Sequence, residues 1–254
     1  MFLNKEKIAH CFRQAKTSYD DQATVQRQVG SRLLALAGQF SAISYERVLE
    51  IGCCTGMLTQ MLCQQHRVET LFLNDLVPDF AASVMARIPE ERMPHLQPFF
   101  GDIETLLLPD RLSLALSSAT FQWLADLPEI FHRLAQALRD NGFLVFSIFC
   151  PGTLAEFTEL TGIGLDYRSP EQIAGLLEND FTIEQMATDQ ARLFLPTPRA
   201  VLHHLRATGV GGVRDYRWTN SGLRHFEQEY RTRFGTAAGV PVTYASTCFV
   251  VRKK

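Results

Sequence analysis

Apolar residues along the chain fall into two patterns, short continuous runs and longer stretches in which they recur every three to four residues. Each short run has the length and the branched composition of a strand that is buried on both faces. These runs lie at residues 48–51, 69–73, 112–116 and 142–149, and a further strand is expected to end before Gly101. Strands that alternate with helical stretches at this rhythm predict a parallel sheet in an α/β fold.

The N-terminal part of the chain departs from this rhythm. Ile8, Phe12, Ala15 and Tyr19 recur at helical spacing and predict one amphipathic helix, followed by a second helix over residues 25–36. A helix placed before the first strand can fold over the carboxyl ends of the strands, where open α/β sheets bind ligands. Tyr19 is therefore either a core aromatic residue or part of a lid.

Beyond the fifth strand the pattern indicates helices, a strand and a helical insertion. Residues 153–178 are predicted to be helical, residues 181–195 to form a strand or hairpin, residues 199–235 to be helical, and residues 243–251 to form a last strand. We expect a single domain over residues 1–254. Its parts are N-terminal helices at 1–40, a ligand-binding core at 45–150, a helical segment and strand at 151–195, a helical insertion at 196–240 and the last strand at 241–254.

A glycine loop joins the first strand to a helix in the stretch R-V-L-E-I-G-C-C-T-G-M-L at residues 47–58. Backbone N–H groups converge at such a helix N-terminus and can bind a ligand. A dinucleotide fingerprint places glycines at 52, 54 and 57, whereas this loop has Gly52, Cys54 and Gly56, with Glu50 on the strand. Proteins without a nucleotide use similar glycines for tight packing. At Cys54 we expect a negative φ and a thiol that points away from any ligand.

Acidic and small hydroxyl residues follow other strands. Asp75 lies 19 residues after Gly56, close to the spacing at which Rossmann-type folds place a carboxylate on ribose hydroxyls. Asp102, after the third strand, can accept a hydrogen bond from an adenine amino group, and Ser117 and Ser118 leave room for a bulky ligand. The alternative for Asp75 is an exposed turn residue, and the alternative for Asp102 is a helix N-cap.

Composition narrows the classes of function. The 254 residues are 46% apolar with a net charge of −2 and a pI near 6.4, which argues against a general nucleic-acid or membrane-surface binder, because such proteins need a basic footprint. No apolar run is long enough for a membrane helix, and the N-terminus lacks the apolar core of a signal peptide, so we expect a cytosolic protein. The six cysteines are scattered, without a C-x-x-C pair or a histidine at metal-ligand spacing. We therefore expect free thiols and no metal.

The insertion at residues 199–235 contains seven arginines and three acidic residues. The arginines are Arg199, Arg206, Arg214, Arg217, Arg224, Arg231 and Arg233. This is either a solvated charged face or a docking face for an acidic partner or an anionic substrate, since clustered arginines suit carboxylates and phosphates. His203 and His204 are adjacent and so point apart on a helix, which argues against a metal pair.

Sequence motifs that resemble those of one protein family run through almost the whole chain. The acid-x-Gly-x-x-x-Gly loop and G-D-I-E at 101–104 are typical of class I S-adenosylmethionine-dependent methyltransferases. More particular motifs are F-R-Q-A-x-x-S-Y-D at 12–20, S-S-A-T-F-Q-W-L at 117–124, L-H-H-L-R-x-x-G-V at 202–210 and V-T-Y at 242–244. Together they resemble the biotin-synthesis malonyl-acyl-carrier-protein O-methyltransferases, the BioC family. Cys54 replaces a glycine of that family's loop, and Ala245 replaces a polar residue after V-T-Y.

The resemblance implies a Rossmann-like, mostly parallel seven-stranded sheet with N-terminal helices and a helical lid insertion. It also implies methyl transfer from S-adenosyl-L-methionine to the free carboxylate of a malonyl thioester on acyl carrier protein, or on coenzyme A, as in biotin synthesis. Such a reaction needs no general base, since a carboxyl group with a pKa near ~4 is already ionised at neutral pH.

Site residues carried over by the resemblance fall into a cofactor set and an acceptor set. The cofactor set is Glu50, Gly52 and Gly56 for the methionine end, Asp75 with Leu76 for the ribose, Asp102 and Ile103 for adenine, and Ser117 beside the sulfonium. Tyr19 and one arginine, either Arg206 or Arg168, would hold the substrate carboxylate. Two other functions stay open: a methyltransferase with another small-molecule or lipid acceptor, and a methyltransferase-like binding protein without turnover, for which Cys54 is the motivating feature.

Overall fold

The computed structural model describes residues 4–40, 44–213 and 218–254. This part of the chain forms one seven-stranded sheet with helices packed on both faces. The strands are β1 (Ser44–Ile51), β2 (Arg67–Asn74), β3 (His95–Pro98), β4 (Leu112–Ser118), β5 (Leu138–Phe149), β6 (Phe181–Leu195) and β7 (Val240–Lys253). The α-helices are α1 (Lys5–Ala15), α2 (Tyr19–Gln22), α3 (Thr24–Ala37), α4 (Met57–Gln65), α5 (Ala81–Met85), α6 (Leu127–Ala137), α7 (Ala155–Thr161), α8 (Pro170–Leu177), α9 (Pro198–Ala207) and α10 (Asn220–Phe234).

The strands follow the order β3-β2-β1-β4-β5-β7-β6. Strands β1 to β5 pair in parallel, and β7 runs antiparallel to both β5 and β6. The mostly parallel seven-stranded sheet that the sequence implied is thus confirmed. Strand order reverses at β1, which pairs with β2 on one side and with β4 on the other. In open α/β sheets the crevice at such a switch point is where ligands bind.

Two apolar layers enclose the sheet. Val48 of β1 lies in a core cluster with Leu33 of α3, whereas the next residue, Leu49, lies in a second cluster with Phe131 of α6. Successive strand side chains point to opposite faces, so a strand covered on both sides is apolar at consecutive positions. This is why the short continuous runs in the sequence located the central strands.

The N-terminal region forms three helices, so the prediction of one helix through Ile8 and Tyr19 is wrong. Helix α1 ends at Ala15, and Tyr19 begins the short helix α2. Between them the Ser18 hydroxyl lies within hydrogen-bond distance of the carbonyls of Ala15 (3.1 Å) and Ala207 (3.2 Å), which ties the turn to the end of α9. These side-chain bonds stabilise a turn, an outcome that helical spacing alone does not reveal.

Other element bounds differ in smaller ways. Strand β5 begins at Leu138 instead of 142, because residues 139–141 are polar and exposed and give no apolar signal. Residues 181–195 form one strand and not a hairpin. The insertion corresponds to α9 and α10, with Arg214 and Arg217 outside the described residues. No helix in the described ranges is long and apolar enough to cross a membrane.

Candidate active site

A cavity of about 100 Å³ opens at the carboxyl ends of β1 and its neighbours, at the switch point of the sheet. We call it the cofactor cavity. Ile51, at the end of β1, pairs with Asn74 of β2 and with Ser117 of β4, so three strands end at this place. The structure brings six of the predicted site residues to its wall. They are Tyr19, Gly52, Asp75, Leu76, Asp102 and Ile103.

The loop after β1 is held close to β2. The N–H groups of Gly52 and Cys53 both donate to the Asn74 carbonyl at 2.9 Å. Gly52 has φ +74°, and a Cβ there would lie 2.1 Å from Thr120 Oγ1. Only glycine fits, because this backbone conformation and this approach both exclude a side chain. The loop therefore lies directly against the chain that follows β4.

Cys54 adopts a left-handed conformation with φ +46°, so the prediction of a negative φ is wrong. The Cys54 N–H donates to Asp75 Oδ2 at 2.9 Å, and this charge-assisted bond helps to hold the strained backbone. The residue lines the cofactor cavity. Burial raises the pKa of its thiol well above the usual range, although a side-chain hydrogen bond with Tyr19 opposes the shift. The thiol is therefore neutral at physiological pH.

Asp75 organises the loops around the cofactor cavity. Its Oδ2 accepts the bond from Cys54, and its Oδ1 accepts one from the Val77 N–H at 2.8 Å. Burial raises the pKa of Asp75 to about 6, with these backbone bonds opposing the shift. A carboxylate offers about four lone-pair sites, so capacity remains for two hydroxyl groups of a ligand.

Asp102 and Ile103 form the end of the cofactor cavity that lies next to the N-terminal helix. Lys5 Nζ of α1 lies 2.6 Å from both carboxylate oxygens of Asp102 and also contacts Glu104. Ile103 is buried and gives this end an apolar wall. Helix α1 therefore closes over the end where the sequence predicted adenine.

Glu50 lies beneath the glycine loop and does not line the cavity. It is fully buried, and its Oε2 accepts a hydrogen bond from Thr59 Oγ1 of α4 at 2.7 Å. Its Oε1 has no hydrogen-bond partner among the described residues. Burial raises the pKa of Glu50 to about 8, against the opposing bond from Thr59. The side chain is thus largely protonated at neutral pH.

Gly56 and Ser117 also lie off the cavity wall. Gly56 has φ +89°, and a Cβ there would come within 2.9 Å of Val84 Cα, so this glycine permits close packing of α4 against α5. Ser117 is buried, and its hydroxyl donates to the Ile51 carbonyl at 2.9 Å. The next residue, Ser118, lines the cavity instead. The roles assigned to Glu50, Gly56 and Ser117 as cofactor contacts stay predictions.

A second, narrow cavity of about 20 Å³ adjoins the first and shares Tyr19 with it. We call it the acceptor cavity. Two further tyrosines, Tyr167 and Tyr244, line it, and burial raises the pKa of each phenol well above the usual range. Tyr244 OH lies 2.8 Å from His204 Nε2 of α9, and burial lowers the pKa of that imidazole. All three hydroxyls are thus protonated, and that of Tyr244 contacts a neutral histidine.

Sequence reasoning named Tyr244 only as part of a motif and missed Tyr167 and His204 as site residues. The V-T-Y motif was a usable signal for Tyr244, whereas nothing local pointed to Tyr167. Arg206 lies at an outer cavity and is exposed. Arg168 is exposed and lines none of these three cavities. The assignment of either arginine to the substrate carboxylate stays a prediction.

Comparisons with known proteins agree with this architecture. A methyltransferase domain family model matches residues 49–146. Among solved structures, an N-methyltransferase from Bradyrhizobium japonicum in complex with S-adenosyl-L-homocysteine has a TM-score of 0.55 at 15% identity, covering 93% of this chain and 98% of that one. A phosphoethanolamine N-methyltransferase from Haemonchus contortus, in complex with S-adenosyl-L-methionine, has a TM-score of 0.55 at 16% identity, covering 88% of this chain and 52% of that one. These likenesses show the fold.

Two curated relatives are similar over almost their full length. The malonyl-[acyl-carrier protein] O-methyltransferase of Chlorobium luteolum is 33% identical, covering 99% of this chain and 96% of the relative. The protein of the same name from Bacteroides thetaiotaomicron is 32% identical, covering 99% of both chains. Together with the sheet order and the glycine loop, this similarity shows that the chain belongs to the malonyl-[acyl-carrier protein] O-methyltransferase family of S-adenosylmethionine-dependent methyltransferases.

Proposed function

We propose that this protein transfers a methyl group from S-adenosyl-L-methionine to the free carboxylate of a malonyl thioester on acyl carrier protein, giving the methyl ester used in biotin synthesis. Full-length similarity to relatives of that name supports the choice of acceptor. The observation that carries the proposal is the position of Tyr19, which lines both the cofactor cavity and the acceptor cavity. A donor and an acceptor held in these cavities would meet beside this residue.

The residues of the cofactor cavity fit S-adenosyl-L-methionine. Gly52 and Thr120 both line the cavity, and Thr120 fills the space that a Cβ of Gly52 would need, so the loop presents a bare backbone to a ligand. Asp75 has lone pairs left for the ribose hydroxyls, and Asp102 and Ile103 offer an acceptor and an apolar surface for adenine. When bound, the cofactor supplies an electrophilic methyl group, which a carboxylate oxygen of the acceptor takes up as S-adenosyl-L-homocysteine leaves.

The acceptor cavity suits a carboxylate because its titratable groups are neutral phenols. Tyr19, Tyr167 and Tyr244 stay protonated and add no negative charge, and a phenol can donate a hydrogen bond to a carboxylate. The malonyl carboxylate is itself ionised at neutral pH, and the site needs no base. Catalysis then depends on holding the oxygen in line and on excluding water from a narrow cavity.

The arginine-rich insertion supports a carrier protein as the partner that delivers the substrate. Arg199 pairs with Glu227 at 2.7 Å and Arg233 pairs with Glu229 at 3.1 Å, so part of its positive charge is used within the protein. Further exposed arginines of α10 stay available for acidic side chains of a carrier. They are Arg224 and Arg231. A cytosolic location, expected from the sequence, stays a prediction.

The test is incubation with labelled S-adenosyl-L-methionine and malonyl-acyl carrier protein, beside malonyl-CoA and free malonate, with mass detection of the methyl ester. We expect ester formation on the thioesters and little on free malonate. Tyr19→Phe removes one donor to the carboxylate and should lower kcat/KM by about tenfold to a hundredfold, since a hydrogen bond to a charged group contributes about 1.5–3 kcal/mol.

Tyr230→Phe is the matched control. The Tyr230 hydroxyl is buried but donates to the Pro241 carbonyl at 2.8 Å, and it lines none of these cavities. This variant should keep the wild-type kcat/KM even where it loses stability. Wild-type protein that forms no methyl ester on any malonyl thioester would overturn the proposed function.

A further inference from the structure

A third cavity of about 390 Å³ continues the row formed by the cofactor and acceptor cavities. We call it the outer cavity. Leu154, Leu165, Tyr167 and Val210 line both it and the acceptor cavity, just as Tyr19 lines both the acceptor and the cofactor cavities. The acceptor cavity is thus a narrow neck between two wider spaces. A ligand whose slim end occupies the neck must have the rest of its length in the outer cavity.

The walls of the outer cavity differ in polarity. Helix α9 contributes Leu202 and Leu205, which lie on one face of the helix. Helix α1 contributes Lys7, His10, Cys11 and Gln14, whose spacing also places them on one face. The site is therefore a slot with one apolar side and one side rich in hydrogen-bond donors. Such a slot suits a slender chain that carries both methyl and amide groups.

The described lining of the outer cavity contains two basic side chains. They are Lys7 and Arg206, and no Asp or Glu occurs among the described lining residues. Arg206 is exposed, so it lies at the solvent side of the cavity. A guanidinium group in this place matches a phosphate, which it can bind through two parallel hydrogen bonds.

From these features we infer that the outer cavity binds the 4′-phosphopantetheine arm of the acceptor, with Arg206 on its phosphate. The inference rests on the proposed function, because the malonyl group enters the neck and its thioester joins it to the arm outside. The gem-dimethyl and amide groups of the arm match the apolar face of α9 and the polar face of α1. Arg206 then recognises the phosphate and does not hold the malonyl carboxylate.

Three substrates test whether the outer cavity binds the arm and whether Arg206 binds its phosphate. Malonyl-acyl carrier protein and malonyl-CoA both carry the phosphorylated arm, and malonyl-N-acetylcysteamine lacks the phosphate and most of the arm. Leu202→Trp should fill the outer cavity and lower kcat/KM for the first two by at least about tenfold, equal to about 1.4 kcal/mol. The truncated substrate should change by less than about twofold. His203→Trp, on the exposed neighbour of Leu202, is the control and should leave all three unchanged.

Gly211→Phe is the second cavity-filling variant, in case Leu202→Trp folds poorly. A Cβ at Gly211 meets no atom of the described residues within 4 Å, so the substitution begins without a clash against that part of the chain. It should reproduce the pattern of Leu202→Trp. The affinity of each variant for S-adenosyl-L-homocysteine is measured by calorimetry, and a wild-type value confirms that the variant is folded.

Arg206→Ala tests the phosphate contact. It should lower kcat/KM about tenfold for both substrates that carry the phosphate and leave the truncated substrate within about twofold. Arg199→Ala is the control, because Arg199 lies on the same helix but outside the cavity. It should leave kcat/KM for malonyl-CoA unchanged, and a loss for the carrier-bound substrate alone would indicate a contact of Arg199 with the carrier.

Two results would overturn the inference while leaving the proposed function intact. Equal losses on all three substrates in Arg206→Ala would place this arginine on the malonyl group. Unchanged kinetics in both Leu202→Trp and Gly211→Phe would show that the arm lies elsewhere. A wild-type protein that methylates none of the three overturns the proposed function itself, and this inference with it.

Discussion

The buried carboxyl group of Glu50 leads to a prediction about stability and pH. Its pKa is raised by burial from the ordinary 4.5 to about 8. Between these two values the folded protein binds one proton more than the unfolded chain at this group. The free energy of unfolding must therefore fall as the pH rises from about 4.5 to about 8, and it levels off above that range.

The magnitude follows from the size of the pKa shift. Each unit is worth about 1.4 kcal/mol, so the whole shift corresponds to about 4–5 kcal/mol. Between pH 6 and pH 8 the contribution of Glu50 to the free energy of unfolding should fall by about 2 kcal/mol. The fall is slightly less than the full slope because Glu50 in the folded protein is itself half ionised at pH 8.

Glu50→Gln removes the titration and keeps the shape of the side chain. Its amide oxygen can still accept the hydrogen bond from Thr59 Oγ1, which Glu50 accepts at 2.7 Å. The measurement is urea unfolding of wild type and variant at pH 6, 7 and 8. The free energy of unfolding of the variant, measured relative to wild type, should rise by about 2 kcal/mol between pH 6 and pH 8. The comparison cancels the titration of all other groups.

Glu69→Gln is the matched control, because Glu69 lies exposed on the neighbouring strand β2. It should follow the pH dependence of the wild type. If the curves of wild type and Glu50→Gln run parallel, Glu50 is already ionised in the folded protein and the reasoning from burial fails. In that case its predicted contact with the methionine end of the cofactor gains support, and Glu50→Gln should weaken cofactor binding.

Three further predictions concern the cofactor loop and the arginine-rich insertion. Asp75→Ala should weaken cofactor binding by about 1.5–3 kcal/mol. The cofactor affinity of the wild type should also fall as the pH drops through about 6, where Asp75 becomes protonated. Calorimetry that shows neither change contradicts the ribose contact. Cys54→Gly should relieve about 1–2 kcal/mol of left-handed strain, measured by urea unfolding, and keep the methyl-transfer rate within about tenfold. A gain of several orders of magnitude in that rate would mean that Cys54 impairs the enzyme. If the insertion docks an acidic carrier, KM for the carrier-bound substrate should rise with salt more than cofactor affinity changes, whereas a salt-independent KM indicates a solvated face.

The sequence by itself determined the central strands, the glycine loop and the acids at the strand ends. These features are local, because a strand buried on both faces is apolar at consecutive positions. Gly52 has to be glycine because its φ is positive and Thr120 occupies the place of a side chain. Asp75 and Asp102 were predicted for a related reason. Parallel strands end at one edge of a sheet, so residues just after them meet at the same crevice.

Only the tertiary structure decided which side chain of a candidate pair faces the cavity. Ser117 and Ser118 are equivalent in the sequence, but consecutive strand residues point to opposite faces, and Ser118 is the one that lines the cavity. Cys54 was expected at negative φ, yet its N–H donates to the Asp75 carboxylate, a bond between residues far apart in the chain. That contact helps to hold the left-handed backbone, and the local sequence does not reveal it.

The acceptor side was the least predictable part of the site. Tyr19, Tyr167 and Tyr244 come from α2, from the loop before α8 and from β7, and they meet only when these elements pack over the sheet. Burial in that packing keeps their hydroxyls protonated. The sequence specifies each side chain, but the distance between them and the water excluded around them depend on how the N-terminal and C-terminal elements close over the sheet.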